Sequence, residues 1–180
     1  MATEITINAP GTQSPSFNKP LVVEELMGKW HVVRSTLPMW KNKKDVTITY
    51  TPRAQAIDQP ISFDDLVEYR SASAAADSSP STVRGVDKQD PAFAQTYNWR
   101  GSGWLMIASS RWEIIGLGDD WAVTYFSSTL FTPEGLDIYV RQPGNSSVNP
   151  VSIMLEVEKL DGRVGELAKT FFEVPVSSAI

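Results

Sequence analysis

From Trp30 onward the chain reads as a succession of short apolar–polar alternations. In Trp30–Thr36, the side chains of Trp30, Val32 and Arg34 fall on one face and those of His31, Val33 and Ser35 on the other, the two-residue period of a strand. Val46–Thr51 alternates in the same way, with Val46, Ile48 and Tyr50 opposed by Thr47, Thr49 and Thr51. Weaker strand patterns cover Ile61–Arg70, Thr82–Asp87 and Phe93–Arg100, and stronger ones Trp104–Ala108, Trp112–Gly116, Trp121–Ser127 and Leu136–Gln142. Gly, Pro, Asp and Ser punctuate the intervals. Residues 1–20 hold Pro10, Pro15 and Pro20 among small polar residues and read as a flexible tail or strap without a core of its own. Leu21–Met27 can make a helical turn that Gly28 ends, and Ser71–Ser81 is a low-complexity loop. Asn149-Pro150 has the form of a helix start, with the break at Asp161-Gly162. The same segment, VSIMLEVEKL, also fits strand alternation, so both remain open; Lys169–Val176 reads as a last short strand. Consecutive strands without intervening helices predict an all-β domain over 21–180, an antiparallel barrel or sandwich.

Composition narrows the chemistry. A chain of 180 residues makes one domain. With no cysteine and a single histidine, His31, there is no disulfide, thiolate site or multi-histidine metal centre, and no metal is expected. The net charge of −5 argues against nucleic acid. No stretch approaches the ~20 apolar residues of a membrane span, and the first residues lack a basic start followed by an apolar run. A cytoplasmic protein with no membrane partner is expected. Phosphate-binding, dinucleotide-binding and nucleophile-elbow motifs are missing, so no cofactor is expected. Asp64-Asp65 and Asp119-Asp120 are sequence neighbours that point to opposite strand faces or cap turns, which does not support a glycosidase pair.

Several segments resemble a known family. Gly28-Lys29-Trp30, opening the first long strand, resembles the G-x-W signature of lipocalins. Pro38-Met39-Trp40 and Asp45–Tyr50 are similar to the second strand of the bacterial-lipocalin and apolipoprotein-D-like branch, and Gly85-Val86 and Asp90-Pro91 to a later segment of it. Leu136–Pro143 looks like the last barrel strand, whose arginine, here Arg141, packs over the G-x-W tryptophan. The resemblance implies a single antiparallel lipocalin-like barrel of eight to ten strands, with a short N-terminal helical turn, one C-terminal helix and Trp30 at the closed end. Two departures put secretion and transport in doubt. Ser109-Ser110-Arg111-Trp112 stands where a T-D-Y-type motif is usual, and the usual disulfides and signal are missing. The segment WLMIASSRWEIIG looks most like intracellular lipocalin-like proteins of filamentous fungi. Some of those are cofactor-free pericyclases, among them hetero-Diels–Alderases that join a tropolone quinone methide to a humulene-type sesquiterpene.

Such a barrel implies a cup for a hydrophobic small molecule. Arg34, on the face of Trp30, is expected to point inside, either paired with an acid at the rim or donating to a ligand carbonyl; Tyr50 and Tyr125 are the other candidate catalytic donors. Trp40, Tyr69, Tyr97, Trp99, Trp104, Trp112 and Tyr139 are the candidate substrate-binding side chains, each able to serve as core or pocket wall. His31, opposite Trp30, is expected to face outward. Lys41, Lys43 and Lys44 form a solvated loop or a rim patch for an anionic substrate. Two functions follow, a cofactor-free pericyclic cyclisation in secondary metabolism or non-catalytic binding and carriage of a hydrophobic small molecule. The sequence leaves a homodimer open.

Overall fold

The computed structural model describes residues 4–103 and 108–177. Eight strands, β1 (Gly28–Ser35), β2 (Lys43–Pro52), β3 (Ser62–Ser71), β4 (Ser81–Gln89), β5 (Thr96–Gly101), β6 (Ser109–Leu117), β7 (Trp121–Phe126) and β8 (Gly135–Val140), pair antiparallel in chain order. β1 pairs with both β8 and β2 and so closes the barrel, and a two-residue β9 (Phe172–Glu173) pairs with the end of β1 at Ser35 and Arg34. The expected strand over Trp104–Ala108 falls mostly on residues outside the described ones.

The short helical turn is α1 (Val23–Leu26), and the ambiguous C-terminal segment is the helix α2 (Pro150–Glu158). Asn149 caps α2, its Oδ1 accepting from the Val151 N–H at 2.9 Å, while Pro150 occupies a first-turn position that needs no donor. Where one C-terminal helix was expected there are two. After Gly162, at φ 77°, the chain turns back into α3 (Arg163–Ala168). These helices cover the outside of β7 and β8, burying Ile153, Val157 and Ala168 with Trp121, Val123, Ile138 and Val140. Both faces of β8 are therefore buried, and all six of its residues are inaccessible. Residues 4–20 run along β6 as a strap. Asn8 and Asn18 donate their N–H groups to the carbonyls of Ile115 and Leu117 at 2.8 and 3.0 Å, and Ile5 and Ile7 pack on the outer cluster.

One end of the barrel is shut. Trp30 donates Nε1–H to the Leu26 carbonyl at 2.8 Å, and Phe17 and Leu21 pack against the same cluster. Arg141 lies with its guanidinium 3.6 Å from the Trp30 ring centroid, donating Nη1–H to the Lys29 carbonyl at 3.0 Å and Nη2–H to that of Glu25 at 2.6 Å. The pairing of Trp30 with Arg141 that the resemblance implied is present. At the other end Gly135 lets the β1–β2 connection close on β8, since a Cβ there would sit 2.1 Å from Leu37 Cδ2.

The clamp at the closed end is expected to hold the fold together. Arg141→Met removes a cation–π contact and two charge-assisted hydrogen bonds, an expected loss of about 2 kcal/mol. That corresponds to a fall in Tm of about 5 °C for a domain of this size. Arg141→Lys keeps the charge but not the fork and recovers only part of it. Thermal unfolding followed by circular dichroism reads both.

Candidate functional site

Strand register decides what enters the barrel. Gly85 lacks a side chain where Trp99 crosses β4, since a Cβ would lie 2.2 Å from Trp99 Nε1. Deeper in, Trp112 is sandwiched by Tyr97 at 4.6 Å and Tyr50 at 6.0 Å between ring centroids, the latter almost parallel at 8°. Phe63 meets both tyrosines edge-on, at 5.0 and 5.4 Å. Toward the open end the stack continues to Phe126, 6.2 Å from Trp112, and Trp40 meets Tyr69 edge-on at 5.5 Å.

Three carboxyl groups share this aromatic interior. Asp65 pairs in register with Tyr50 and with Gly85, and Asp87 with Phe63 and Trp99, so both lie on inward faces. Asp87 Oδ1 accepts from Trp112 Nε1–H at 2.7 Å. Oδ1 of Asp65 and Oδ2 of Asp87 have no donor, and the two carboxyls lie within hydrogen-bonding reach of each other. One proton held between them satisfies both. Burial raises the pKa of Asp87, and the neighbouring Asp65 raises it further. Burial also raises Asp65, opposed by its hydrogen bond to Asp87. Two buried like charges at contact cannot both ionise near neutrality, so the pair keeps a proton there. The third acid, Asp137 on β8, is pushed up to about 7 by burial, against the favourable Ser35 and Trp40 side chains. Its Oδ1 and Trp40 Nε1 both lack a full hydrogen bond, as do the hydroxyls of Tyr97, Thr124 and Tyr139 inside the same barrel. Buried polar groups are ordinarily paired, and this concentration of unmet ones marks a place built to receive a polar partner. The tyrosines stay protonated, Tyr97 pushed up by burial and by Asp87, and Tyr50 and Tyr139 by burial first.

Access is graded. Asp87 is fully buried and Asp137 only 1 % exposed, whereas Asp65 keeps 7 % of its surface accessible. On the same inward face of β3, Val67 and Tyr69 above it are half-buried, while Phe63 below is sealed. Trp99 and Phe126 are also half-buried. Burial therefore deepens along β3 from Tyr69, at the end where the β1–β2, β3–β4 and β7–β8 connections emerge, to Asp65 and Phe63.

The structure brings Tyr50, Tyr97, Trp112 and Tyr139 together in the interior, and Trp40, Tyr69 and Trp99 near the opening. Trp104 lies outside the described residues. Arg34 is not inside. A bulge between Val32 and Arg34 inverts the alternation of β1, putting Ser35 opposite Asp137 and turning Arg34 outward onto Glu173, Nη1 to Oε2 at 3.1 Å. Tyr125 is not inside either. It shares the outward face of Val123, donates to Glu134 Oε2 at 2.8 Å, and that carboxylate also pairs with Arg163 under the helices. His31 faces outward as expected, its pKa lowered by burial and by Lys29. It borders an external hollow of about 500 Å³ shared with Lys29, Asp45, Glu68 and Arg70. The acids themselves escaped the sequence reading. The signal for Asp65 was available in Phe63-x-Asp65-x-Val67-x-Tyr69, where an acid interrupts an apolar face.

No family model matches the sequence, and no curated protein matches it. Solved structures do match, at identities that speak for the fold alone. Insecticyanin from the tobacco hornworm Manduca sexta aligns with a TM-score of 0.60 at 12 % identity, over 96 % of this chain and 89 % of its own. Japanin from Rhipicephalus appendiculatus, solved bound to cholesterol, aligns at 0.58 and 10 % identity over 87 % and 97 %. Lobster apocrustacyanin A1 aligns at 0.57 and 12 % over 87 % and 80 %. The closed antiparallel eight-strand barrel described above has the lipocalin fold.

Proposed function

We propose that the barrel is a cofactor-free enzyme that takes a hydrophobic, hydroxyl-bearing small molecule into its aromatic cup and promotes a pericyclic cyclisation of hetero-Diels–Alder type. The observation that supports it most is the Asp65–Asp87 pair buried among the interior aromatic rings, with Asp65 the less buried of the two. Burying acids that keep their protons is costly to stability, and such groups gather where proton transfer is the task. The protonated pair donates to the leaving hydroxyl of the substrate. The C–O bond breaks, water departs, and the pair recovers a proton from the substrate's own acidic ring hydroxyl, leaving a neutral heterodiene of quinone-methide kind. The aromatic walls then hold a polyene against the heterodiene. Such positioning can contribute up to ~7–11 kcal/mol. Tyr50, protonated and beside Asp65, donates to the heterodiene oxygen as charge develops there. Arg34 and Tyr125 drop out of this site because they lie on the outer face.

A second reading, a non-catalytic binder, is favoured by the cholesterol-bound state of Japanin. Incubation with a hydroxymethyl tropolone and humulene, followed by mass spectrometry, separates the two. Tryptophan quenching with cyclised product supports the enzyme, and quenching with no product above the uncatalysed level supports the binder.

Asp65→Asn is expected to lower turnover about 10²- to 10⁴-fold with little change in ligand dissociation constant, the signature of a lost general acid. A parallel fall in affinity and rate instead gives Asp65 a uniform-binding role.

Stability is expected to depend on pH through the same groups. An Asp whose folded pKa is raised holds its proton in the folded state after the unfolded chain has lost it, near pH 4. Its contribution is complete below that pH and declines as pH rises toward its folded value, about 7 for Asp137. The Tm of the protein should therefore fall between pH 4 and 7. Asp137→Asn should flatten part of that slope in the same thermal melts, and identical slopes for the two proteins would remove Asp137 as its source.

A further inference from the structure

The open end of the barrel carries apolar side chains that no core element covers. Leu130 and Phe131, consecutive in the β7–β8 connection, are 95 % and 84 % exposed. They are held out on a tight turn, in which Thr129 N–H donates to the Thr132 carbonyl at 2.8 Å and Phe131 N–H to Thr129 Oγ1 at 3.1 Å. Met39, in the adjoining β1–β2 connection, is 51 % exposed. The β1–β2 connection is fastened to the start of β8, Thr36 N–H donating to the Leu136 carbonyl and Leu136 N–H to Thr36 Oγ1, each at 2.9 Å. A hydrophobic pair fixed at a turn tip, away from any core, has no folding purpose, since leaving it exposed gains nothing from burial.

Around the same opening stand Lys41, Lys43 and Lys44, which immediately follow the Pro38–Trp40 turn. Lys43 Nζ lies 5.2 Å from the Tyr69 ring and Lys41 Nζ 6.0 Å from that of Phe172. Among the described residues none of the three has a carboxylate partner. Acids near the opening are Asp77 in the β3–β4 connection, Glu173, which is held by Arg34, and Glu134, which is held by Arg163. Lysines and exposed apolar tips thus share one end of a chain whose net charge is −5.

We infer that the barrel docks its open end on an anionic lipid surface, with Leu130, Phe131 and Met39 inserted at the headgroup level and Lys41 and Lys43 facing the lipid phosphates. The occupant is a bilayer because two exposed apolar side chains, flanked by Lys41 and Lys43 without a carboxylate partner while Lys44 donates to the Ala74 carbonyl at 2.5 Å, match an interface that is apolar beneath and negative above. No helix among the described residues is long and apolar enough to cross a membrane, so this is a peripheral contact. It revises the expectation of no membrane partner, which rested on the lack of a spanning segment. A hydrophobic ligand dissolved in that lipid would reach the cup without crossing water, but the docking does not depend on the chemistry of the acid pair.

The test is co-sedimentation of the full chain with phosphatidylcholine vesicles, with and without phosphatidylserine, at low and high salt. Binding is expected only with phosphatidylserine present and should weaken steeply with salt, because surface charges are screened. Leu130→Ser with Phe131→Ser should weaken it at least about tenfold, given the apolar area removed. Lys41→Gln with Lys43→Gln should weaken it about 20-fold at roughly fivefold per lysine. Ile57→Ser, an exposed apolar residue in the β2–β3 connection, should leave binding unchanged. Melting temperature checks that each variant folds. Binding unchanged by the Leu130 and Phe131 substitutions, equal binding to both vesicle types, or no binding overturns the proposal. So does a concentration-dependent dimer in sedimentation velocity that the same substitutions abolish, because the rim would then face a second copy of the chain. Turnover and ligand binding measured without vesicles test the acid pair separately, so either idea can fail alone.

Discussion

Strand β1 carries the constraint on which the rest of the molecule depends. It must pair with β8 along one edge and with β2 along the other, because without it the sheet has two free edges and no inside. The clamp of Arg141 over Trp30 fixes the start of β1 against the end of β8, and its two hydrogen bonds to backbone carbonyls tie in α1 as well. Closure in turn allows the interior to exclude water. The raised pKa values of the three aspartates follow from that exclusion, since burial is the largest cause of each.

A single extra residue in β1 then shapes the site. The bulge after Val32 sends Arg34 outward and Ser35 inward, so a cation that alternation would have placed beside Asp137 is removed from the interior. Had Arg34 entered, it would have neutralised an interior acid and held its pKa low. Its absence leaves Asp65, Asp87 and Asp137 among tyrosines, tryptophans and one another, and burial dominates their ionisation. The Trp112 indole donates to Asp87 at 2.7 Å within this group of acids. The interior thus sets three carboxyl groups of raised pKa and several neutral hydroxyls against aromatic walls. At the opening the character reverses, with lysines and exposed apolar tips turned toward whatever lies outside.

The outward faces follow a different logic. β7 and β8 are covered by α2 and α3, which explains why Trp121, Val123 and Tyr125 are apolar on a face that an uncovered barrel would leave polar. The strap of residues 4–20 does the same for β6. Tyr125, half-buried on the outer face and donating to Glu134, differs from the interior tyrosines in the side of the sheet it occupies and in its exposure.

Much of the fold was legible in the chain because strand alternation and turn residues are local properties. All eight barrel strands, the cap at Asn149 and the partnership of Trp30 with Arg141 could be read from spacing and from a resemblance carried by a few segments. The site was less legible, for a physical reason in each case. The bulge in β1 depends on register against β8, so nothing near Arg34 announces that its side chain is reversed. Alternation gives two faces but does not say which is inside, so Tyr50 and Tyr125 look alike until helices settle on one face of β7. The helical outcome for VSIMLEVEKL was decided by packing of Ile153 and Val157 on the barrel, since its pattern fits two periods. The Asp65–Asp87 pair joins β3 to β4 across a register that only sheet closure fixes, and the acidity of each carboxyl comes from the other and from water excluded by strands distant in sequence. Sequence alone determined an aromatic-rich, metal-poor barrel; tertiary structure decided which of its polar groups were shut inside together, because burial and charge proximity are properties of the assembled sheet.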